Sequence, residues 1–236
     1  MSVLAITGTG TEVGKTIVTA AIAALCPDVV TVLKPAQTGL PLDGRGDVDV
    51  VKALVPHVET LELVRYPDPL APASAARRSG IPTLTVDEVA EGIKEADADL
   101  VLLEGAGGLL VRLSDEPVLT FADMLVELQA PAVLVVTPGL GTLNHTALTL
   151  EAMQNRGIEL AGVVIGAWPR TPDLASVSNL HDLQLLIGEP LAGVLPEDIA
   201  GLPPAAFEEV AARSLSPRFG GRFEADRFVA DARGLL

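Results

Sequence analysis

Aromatic residues and cysteine are scarce in this chain of 236 residues. Aromatic residues make up 3% of the sequence whereas hydrophobic residues make up 49%, so we expect an aliphatic core of Val, Leu, Ile and Ala. The single cysteine, Cys26, excludes a disulfide within the chain, and the sequence has no Cys/His metal cluster and no convincing Ser/His/Asp triad. These absences exclude a fold stabilised by disulfides and indicate that any catalysis depends on residues other than cysteine or a Ser/His/Asp triad.

Positive charge and long apolar runs are also scarce. The chain has 16 basic and 31 acidic residues, and its net charge of −15 argues against nucleic acid or an anionic membrane as the main partner. No apolar stretch approaches the length of a membrane span, and the N-terminus lacks the basic flank of a signal peptide. We therefore expect one cytoplasmic domain over residues 1–236.

The start of the chain has the pattern of a phosphate-binding loop. An apolar run over residues 3–6 leads into Thr7-Gly-Thr-Gly-Thr-Glu-Val-Gly-Lys-Thr16, and an Ala-rich helical stretch follows. In such a loop, backbone N–H groups face an anion, Lys15 reaches the β- and γ-phosphates, and the Thr16 hydroxyl can ligate Mg²⁺. The first glycine, Gly8, comes one residue earlier than the usual spacing. A Gly-rich turn without a nucleotide is the alternative, but the flanking strand and helix favour a bound nucleoside triphosphate.

Short apolar runs alternate with helical segments along the rest of the chain. The predicted strands are 3–7, 29–33, 60–64, 100–104, 132–137, 160–165 and 191–195. The predicted helices are 14–25, 48–54, 85–96, 120–129, 143–156, 174–187 and 203–213. Apolar strands separated by helices indicate a parallel sheet that is covered on both faces. The sequence therefore predicts an α/β fold of the P-loop NTPase type, with a mostly parallel sheet of about seven strands and helices on both faces.

Polar residues follow several of these strands, at the edge where parallel sheets bind ligands. Lys34, one of only four lysines, closes the second predicted strand before a proline, although a solvated lysine would give the same pattern. Glu104 begins Glu-Gly-Ala-Gly-Gly, which is typical of a Walker B ending with a carboxylate facing a metal ion. In the acidic segment 43–49, Asp47 fits a helix N-cap, whereas Asp49 could reach a metal ion.

A second anion site is predicted where residues 139–145 follow a strand and open a helix. Free N–H groups at such a helix start suit a carboxylate. His145 lies in this segment, but it is more typical of a structural histidine than of a base. Nothing around His57 or His181 indicates catalysis.

Taken together, these motifs resemble the dethiobiotin synthetase family. The resemblance covers nearly the whole chain and rests on residues 7–16, Lys34-Pro-Ala-Gln-Thr38-Gly, Glu104-Gly-Ala-Gly-Gly and Gly141-Thr-Leu-Asn-His145. The early first glycine is itself typical of that family. The resemblance implies a homodimer with composite active sites. It also implies that ATP, Mg²⁺ and CO₂ are used to close the ureido ring of dethiobiotin on 7,8-diaminopelargonate, a step of biotin biosynthesis.

The resemblance also implies roles for individual residues. Lys15 and Lys34 are expected to be catalytic, and Thr16, Asp49 and Glu104 to hold Mg²⁺. The residues expected to bind the nucleotide and its metal ion are Glu12, Val13, Gly14, Lys15, Thr16, Ile17, Asp49, Glu104, Gly105, Ala106, Gly107, Gly166, Ala167, Pro196, Glu197 and Asp198. The residues expected to bind the diamine are Thr11, Thr38, Gly141, Thr142, Leu143 and Asn144, and the partner subunit would supply the helix start at 142–144.

Two other classes of protein have a similar ATP domain. An ATP-driven switch of the partitioning type would carry a signature lysine where this chain has Gly10, and the acidity of this chain disfavours DNA. A cobyrinate-type synthetase needs an attached glutaminase domain with a cysteine nucleophile. A chain of this length, with only Cys26, leaves no room for one.

Recognition of the base departs from the family pattern at Gly166. Many members have an asparagine there that can read the edge of a purine, whereas glycine offers only backbone groups. We therefore expect loose selectivity among nucleoside triphosphates, with the base held by backbone at 166–167 and by residues 196–198. Trp168 could stack on the base or simply pack against the protein. The tail after Ser214 is predicted to dock as a terminal helix, with a membrane-surface helix as the alternative.

Overall fold

A computed structural model, which describes residues 1–234, places a seven-stranded sheet at the centre of the fold. The strands, in chain order, are β1 (Ser2–Gly8), β2 (Val30–Thr38), β3 (Glu59–Tyr66), β4 (Leu100–Glu104), β5 (Arg112–Asp115), β6 (Val118–Thr120), β7 (Ala132–Val136), β8 (Leu160–Trp168) and β9 (Gly193–Pro196). The central sheet has the order β3-β2-β4-β1-β7-β8-β9, and every pair of neighbours is parallel. Strands β5 and β6 form a separate antiparallel hairpin.

The helices cover both faces of this sheet. They are α1 (Lys15–Leu25), α2 (Asp47–Leu54), α3 (Pro72–Ser79), α4 (Val86–Glu95), α5 (Phe121–Leu128), α6 (Thr142–Gln154), α7 (Leu174–Ile187), α8 (Pro204–Ser214) and α9 (Ala225–Arg233). Helices α1, α2 and α8 pack their apolar side chains on one face, and α3 to α7 together with α9 pack on the other. The predicted fold class, a parallel sheet of seven strands with helices on both faces, is confirmed.

The core is aliphatic, as the composition predicts. On β1, Ala5 and Ile6 are fully buried and face opposite layers, because successive side chains of a strand point to opposite faces. The same alternation continues along β7, where all five residues are buried. Strands that are buried on both faces read as continuous apolar runs, which explains why these segments show no polar alternation.

Each predicted strand and helix overlaps an observed one, and the largest difference lies at the end of β2. Strand β2 was predicted to end before Lys34 and instead continues to Thr38, since its pairing with β3 persists from Thr31 to Thr38. Lys34 therefore lies inside a strand and not at its end. Its other neighbour, β4, stops at Glu104, which leaves one side of Lys34 next to the loop that follows β4. The hairpin and α3 were not predicted.

The C-terminal tail docks on the sheet, as predicted. Val229 and Ala232 of α9 are buried in the same apolar cluster as α7. Trp168 packs edge-on against Phe228 of α9, with ring centroids 5.3 Å apart. Over residues 1–234, no helix is long and apolar enough to cross a membrane.

Candidate nucleotide and substrate site

The predicted phosphate-binding loop connects β1 to α1 and is held by close backbone packing. Gly14 precedes α1 with a φ of 95°, a left-handed conformation that favours glycine. A Cβ atom at Gly14 would lie 2.5 Å from the carbonyl oxygen of Gly166, and a Cβ atom at Gly8 would lie 2.6 Å from Cγ2 of Val13. Side chains at these positions would displace the loop. The early glycine of the motif is therefore required by packing inside the loop.

Lys15 is buried and lies over this loop. Its Nζ atom donates a hydrogen bond of 2.8 Å to the carbonyl oxygen of Gly10. Burial, and next the positive charge of Lys34, lower the pKa of Lys15 to about 8, against 10.5 for an ordinary lysine. The two ammonium groups repel each other, so this corner of the site favours an anionic ligand.

Lys34 lies at the centre of a buried cluster of charges. Its Nζ atom is 2.6 Å from Oδ2 of Asp47, 2.8 Å from Oε1 of Glu104 and 3.1 Å from the carbonyl oxygen of Gly105. The Thr16 hydroxyl donates to the same Glu104 oxygen at 2.8 Å. The three N–H donors of the ammonium group thus have three acceptors, and the side chain is only 3% exposed.

The carboxylates keep Lys34 charged despite its burial. Burial alone would lower the pKa of Lys34, but the nearby charges of Glu104 and Asp47 raise it above the ordinary value. For Asp47, burial would raise the pKa, but the Lys34 ammonium outweighs burial and lowers it. Both members of the pair are therefore ionised at neutral pH.

The carboxylate that α2 contributes to this cluster comes from Asp47. The helix begins at this residue, and its N-cap is Gly46, so the prediction that Asp47 caps the helix is wrong. Asp49, which was predicted to hold Mg²⁺ with Thr16 and Glu104, lies in the first turn of α2. Its carboxylate accepts a hydrogen bond of 2.7 Å from the Gly46 N–H group, and its side chain is 47% exposed. The helix starts one residue earlier than predicted, and its first residue, Asp47, contacts Lys34.

A cavity of about 930 Å³ opens beside these residues. The predicted site residues that line it are Thr11, Glu12, Gly14, Lys15, Thr16, Ile17, Lys34, Thr38, Glu104, Ala106 and Gly107. One wall is apolar and was not predicted; it is formed by Leu40, Pro69, Leu70, Pro72 and Val111. These residues lie in loops and at the start of α3, and no sequence motif marks them. The cavity thus joins a charged end, which contains both lysines and carboxylates, to an apolar wall.

The segments predicted to hold the base lie outside the lining of this cavity. Gly166 is buried, and its backbone packs against the phosphate-binding loop. Ala167 is exposed at the carboxyl end of β8. The segment 196–198 is tied to the end of β8, since the Glu197 N–H group donates to the Trp168 carbonyl at 2.9 Å. The two predicted base-binding segments therefore adjoin each other.

The start of α6, predicted to bind a carboxylate, also lies outside this cavity. Gly141 precedes the helix with a φ of 95°, and the Thr142 hydroxyl is buried without a hydrogen-bond partner among residues 1–234. The Asn179 side chain donates to the carbonyl oxygens of Pro138 and Gly139, at 2.8 and 3.0 Å, and so fixes the preceding turn. First-turn N–H groups of a helix lack intrahelical partners and can receive an anion.

Comparison with known proteins gives one consistent family. A family model described as an AAA domain matches residues 2–203. An ATP-dependent dethiobiotin synthetase of Saccharopolyspora erythraea is 57% identical over 94% of this chain and 99% of its own length. The protein of the same name from a Parafrankia species is 54% identical over 97% of this chain and 98% of its own length.

Two solved structures have a similar fold at low identity. The septum site-determining protein MinD of Pyrococcus horikoshii, complexed with Mg-ADP, has a TM-score of 0.52 and 18% identity, covering 99% of this chain and 95% of its own. A ParA family ATPase of Chlorobium tepidum has a TM-score of 0.53 and 14% identity, covering 98% of each chain. At these identities, the likeness concerns the fold alone.

Proposed function

This chain belongs to the ATP-dependent dethiobiotin synthetase family of ligases, and we propose that it closes the ureido ring of dethiobiotin on 7,8-diaminopelargonate with CO₂ and ATP. The observation that carries the proposal is the Lys34 ammonium, buried between two carboxylates beside the phosphate-binding loop. The adjoining cavity offers an apolar wall to a substrate with a long methylene chain.

The proposed reaction has three steps. One amine of the substrate adds to CO₂, loses a proton and becomes a carbamate. A carbamate oxygen then attacks the γ-phosphorus of ATP, which expels ADP and forms a carbamic–phosphoric anhydride. The second amine attacks the carbamoyl carbon, loses its proton and expels phosphate as the ring closes. Since the carbamate is already anionic, the phosphoryl step requires alignment and neutralisation of charge more than a strong base.

Lys15 and Lys34 would supply that neutralisation. Lys15 would turn from the Gly10 carbonyl towards the β- and γ-phosphates, because a phosphate is a stronger acceptor than a neutral carbonyl. Lys34 remains charged, and it would exchange one of its three acceptors for a carbamate or phosphate oxygen. Both ammonium groups would then face the charge that develops in the transition state.

The oxygen donors beside Lys34 fit Mg²⁺. The Thr16 hydroxyl and the carboxylates of Asp47 and Glu104 are the hard oxygen ligands that this ion prefers, and we propose that they hold it directly or through water. When bound, Mg²⁺ would neutralise charge on the phosphates. Asp47 replaces Asp49 in this proposed set, since Asp49 instead hydrogen-bonds to Gly46.

We further propose a homodimer in which α6 of one subunit completes the site of the other. The start of α6 would receive the substrate carboxylate through its free N–H groups. Exposed leucines support an interface here: Leu140 before the helix is 94% exposed, Leu148 on the helix is 58% exposed, and Leu110 is 49% exposed. Leu110 and Leu148 line the same groove of about 420 Å³, so they form one apolar surface.

The test is synthesis of the product from defined components. The protein is incubated with diaminopelargonate, ¹³C-labelled bicarbonate and MgATP, and the products are analysed by mass spectrometry. We expect dethiobiotin that carries one ¹³C atom, together with ADP and phosphate. The Lys34→Ala variant should lose turnover by orders of magnitude. Lys94→Ala, which changes an exposed lysine of α4, serves as the matched control. No labelled dethiobiotin, or full turnover by Lys34→Ala, would refute the corresponding part of the proposal.

A further inference from the structure

Arg65 of β3 forms a half-buried network outside the cavity lining. Its guanidinium binds Glu62 in a bidentate manner, with Nε 2.6 Å from Oε1 and Nη2 2.7 Å from Oε2. Its Nη1 atom donates to the carbonyl of Gly44 and lies 3.4 Å from the carbonyls of Pro41 and Leu42. Both charged side chains are 14% exposed. The donors of Arg65 are thus directed at the protein itself.

The segment that Arg65 holds leads directly to Asp47. Residues 39–46 connect the end of β2 to the start of α2. Gly46, the last of them, packs on the arginine–glutamate pair. A Cβ atom there would lie 2.8 Å from Nη2 of Arg65 and 3.0 Å from Oε2 of Glu62. The N-cap of α2 therefore packs directly against the arginine–glutamate pair.

A second contact fixes the same point of the chain. The Asp47 N–H group donates to Oε1 of Gln37 at 2.9 Å, and Gln37 is paired in register with Arg65 across β2 and β3. The Asp47 carboxylate must reach Lys34 at 2.6 Å from this backbone position. A displacement of about 1 Å would break that contact, and displacements of this size cost on the order of a hundredfold in rate at reacting groups.

We propose that Arg65 is a positioning residue for the phosphoryl-transfer step: it holds the start of α2, and thereby the Asp47 carboxylate, against Lys34. This inference rests on the proposed role of Asp47. Arg65 contributes no group to the substrate. Arg65 fixes the position of the Asp47 side chain through its contacts with Gly44 and Gly46.

A double-mutant cycle tests this proposal, because residues that act through one another give non-additive effects. The variants are Arg65→Ala, Asp47→Asn and their combination. Turnover is measured in each, and so is the gain in ADP affinity that Mg²⁺ produces, determined by isothermal titration calorimetry. Arg222→Ala is the matched control, since Arg222 also binds a glutamate, Glu209, but lies after α8.

We expect Arg65→Ala to lower turnover on the order of tenfold and to reduce the Mg²⁺-dependent gain in ADP affinity. In the Asp47→Asn background, the same change should have less than a twofold further effect on either quantity. Arg222→Ala should match the unmodified protein. Equal effects of Arg65→Ala in both backgrounds, or no effect in either, would overturn the proposal. If Arg65→Ala fails to fold, Arg65→Lys replaces it, since lysine keeps the charge but cannot bind Glu62 and Gly44 together.

A crystal structure of Arg65→Ala tests the positioning role of Arg65 independently of the proposed metal role of Asp47. If Asp47→Asn alone changes neither turnover nor Mg²⁺-dependent binding, the proposed metal role of Asp47 fails. The structure then decides about Arg65. A lengthened contact between Asp47 and Lys34, with a displaced segment 41–46, supports the positioning role. An unchanged contact overturns it.

Discussion

Gly166 of β8 lies directly against Val13 of the phosphate-binding loop. A Cβ atom at residue 166 would come within 2.1 Å of the Val13 carbonyl oxygen and 3.0 Å of the Gly14 Cα atom. These neighbours are backbone atoms and cannot turn aside as a flexible side chain could. Gly166 leaves the predicted base site without a side chain at this position. The same glycine is also required for the packing of the loop on the sheet.

We expect Gly166→Ala to destabilise the protein and to weaken nucleotide binding. Overpacking against backbone should cost on the order of 3 kcal/mol, which lowers the Tm of a chain of this size by roughly 6–12 °C. Thermal unfolding and ADP titration measure both effects. Gly201→Ala is the control, because a Cβ atom at Gly201 meets no atom within 4 Å. Equal Tm values for the two variants would contradict this explanation.

Nucleotide selectivity should be loose. Without a side-chain amide at residue 166, no buried polar group is left unpaired by a different base, whereas the phosphates keep their contacts with the loop. Steady-state kinetics with ATP, GTP and CTP should give kcat/KM values within about a hundredfold of one another, a span of on the order of 3 kcal/mol. A larger preference for ATP would mean that another side chain reads the base.

The two aspartates of α2 should differ sharply in their effect on catalysis. Asp47→Asn removes a charge that contacts Lys34, so turnover should fall on the order of a hundredfold and the requirement for Mg²⁺ should rise. Asp49→Asn alters a half-exposed carboxylate that caps the helix, and it should cost mainly stability, about 1 kcal/mol. Kinetics over a range of Mg²⁺ concentrations, with thermal unfolding alongside, compare them. If Asp49→Asn lowered turnover more than Asp47→Asn did, Asp49 and not Asp47 would be assigned to the metal site.

Nucleotide binding should take up a proton above about pH 8. The lowered pKa of Lys15, about 8, means that this amine is partly neutral at pH 8.5, and the phosphates of a nucleotide favour its charged form. Affinity for ADP should therefore fall as pH rises above 8. Calorimetry in two buffers with different ionisation enthalpies counts the protons. Lys15→Met should abolish the uptake, and an unchanged proton count in that variant would assign it to another group.

A monomeric variant should bind the diamine poorly. Leu148→Arg places a charge in the proposed interface, and Leu185→Arg changes an exposed leucine of α7 as a control. Light scattering gives the oligomeric state of each variant. We expect the Leu148 variant to be monomeric, with a diamine KM raised at least about tenfold, because one carboxylate contact of about 1.4 kcal/mol is lost. Its affinity for ATP should change little. A monomer that keeps full affinity for the diamine would refute the composite site.

The local features of this protein are determined by the sequence itself. The phosphate-binding loop, the seven strands and most helix bounds follow from short patterns: an apolar run, a glycine turn, an apolar helix face. Neighbouring residues alone set these patterns, which is why α7 has the predicted bounds of 174–187. The predicted reaction and the predicted roles of individual residues came from the family resemblance, because four motifs together are far more specific than any one of them.

Contacts between residues that are distant in the sequence depend on the tertiary structure. Strand β2 continues past Lys34 because β3 goes on pairing with it, and no pattern within β2 predicts that. Asp47 of α2 contacts Lys34, and the N-cap of this helix, Gly46, packs against the Arg65–Glu62 pair of a different strand. Gly166 and Val13 come into contact only when β8 packs against the loop. Such contacts depend on register and close packing, which the sequence pattern of a single segment does not contain.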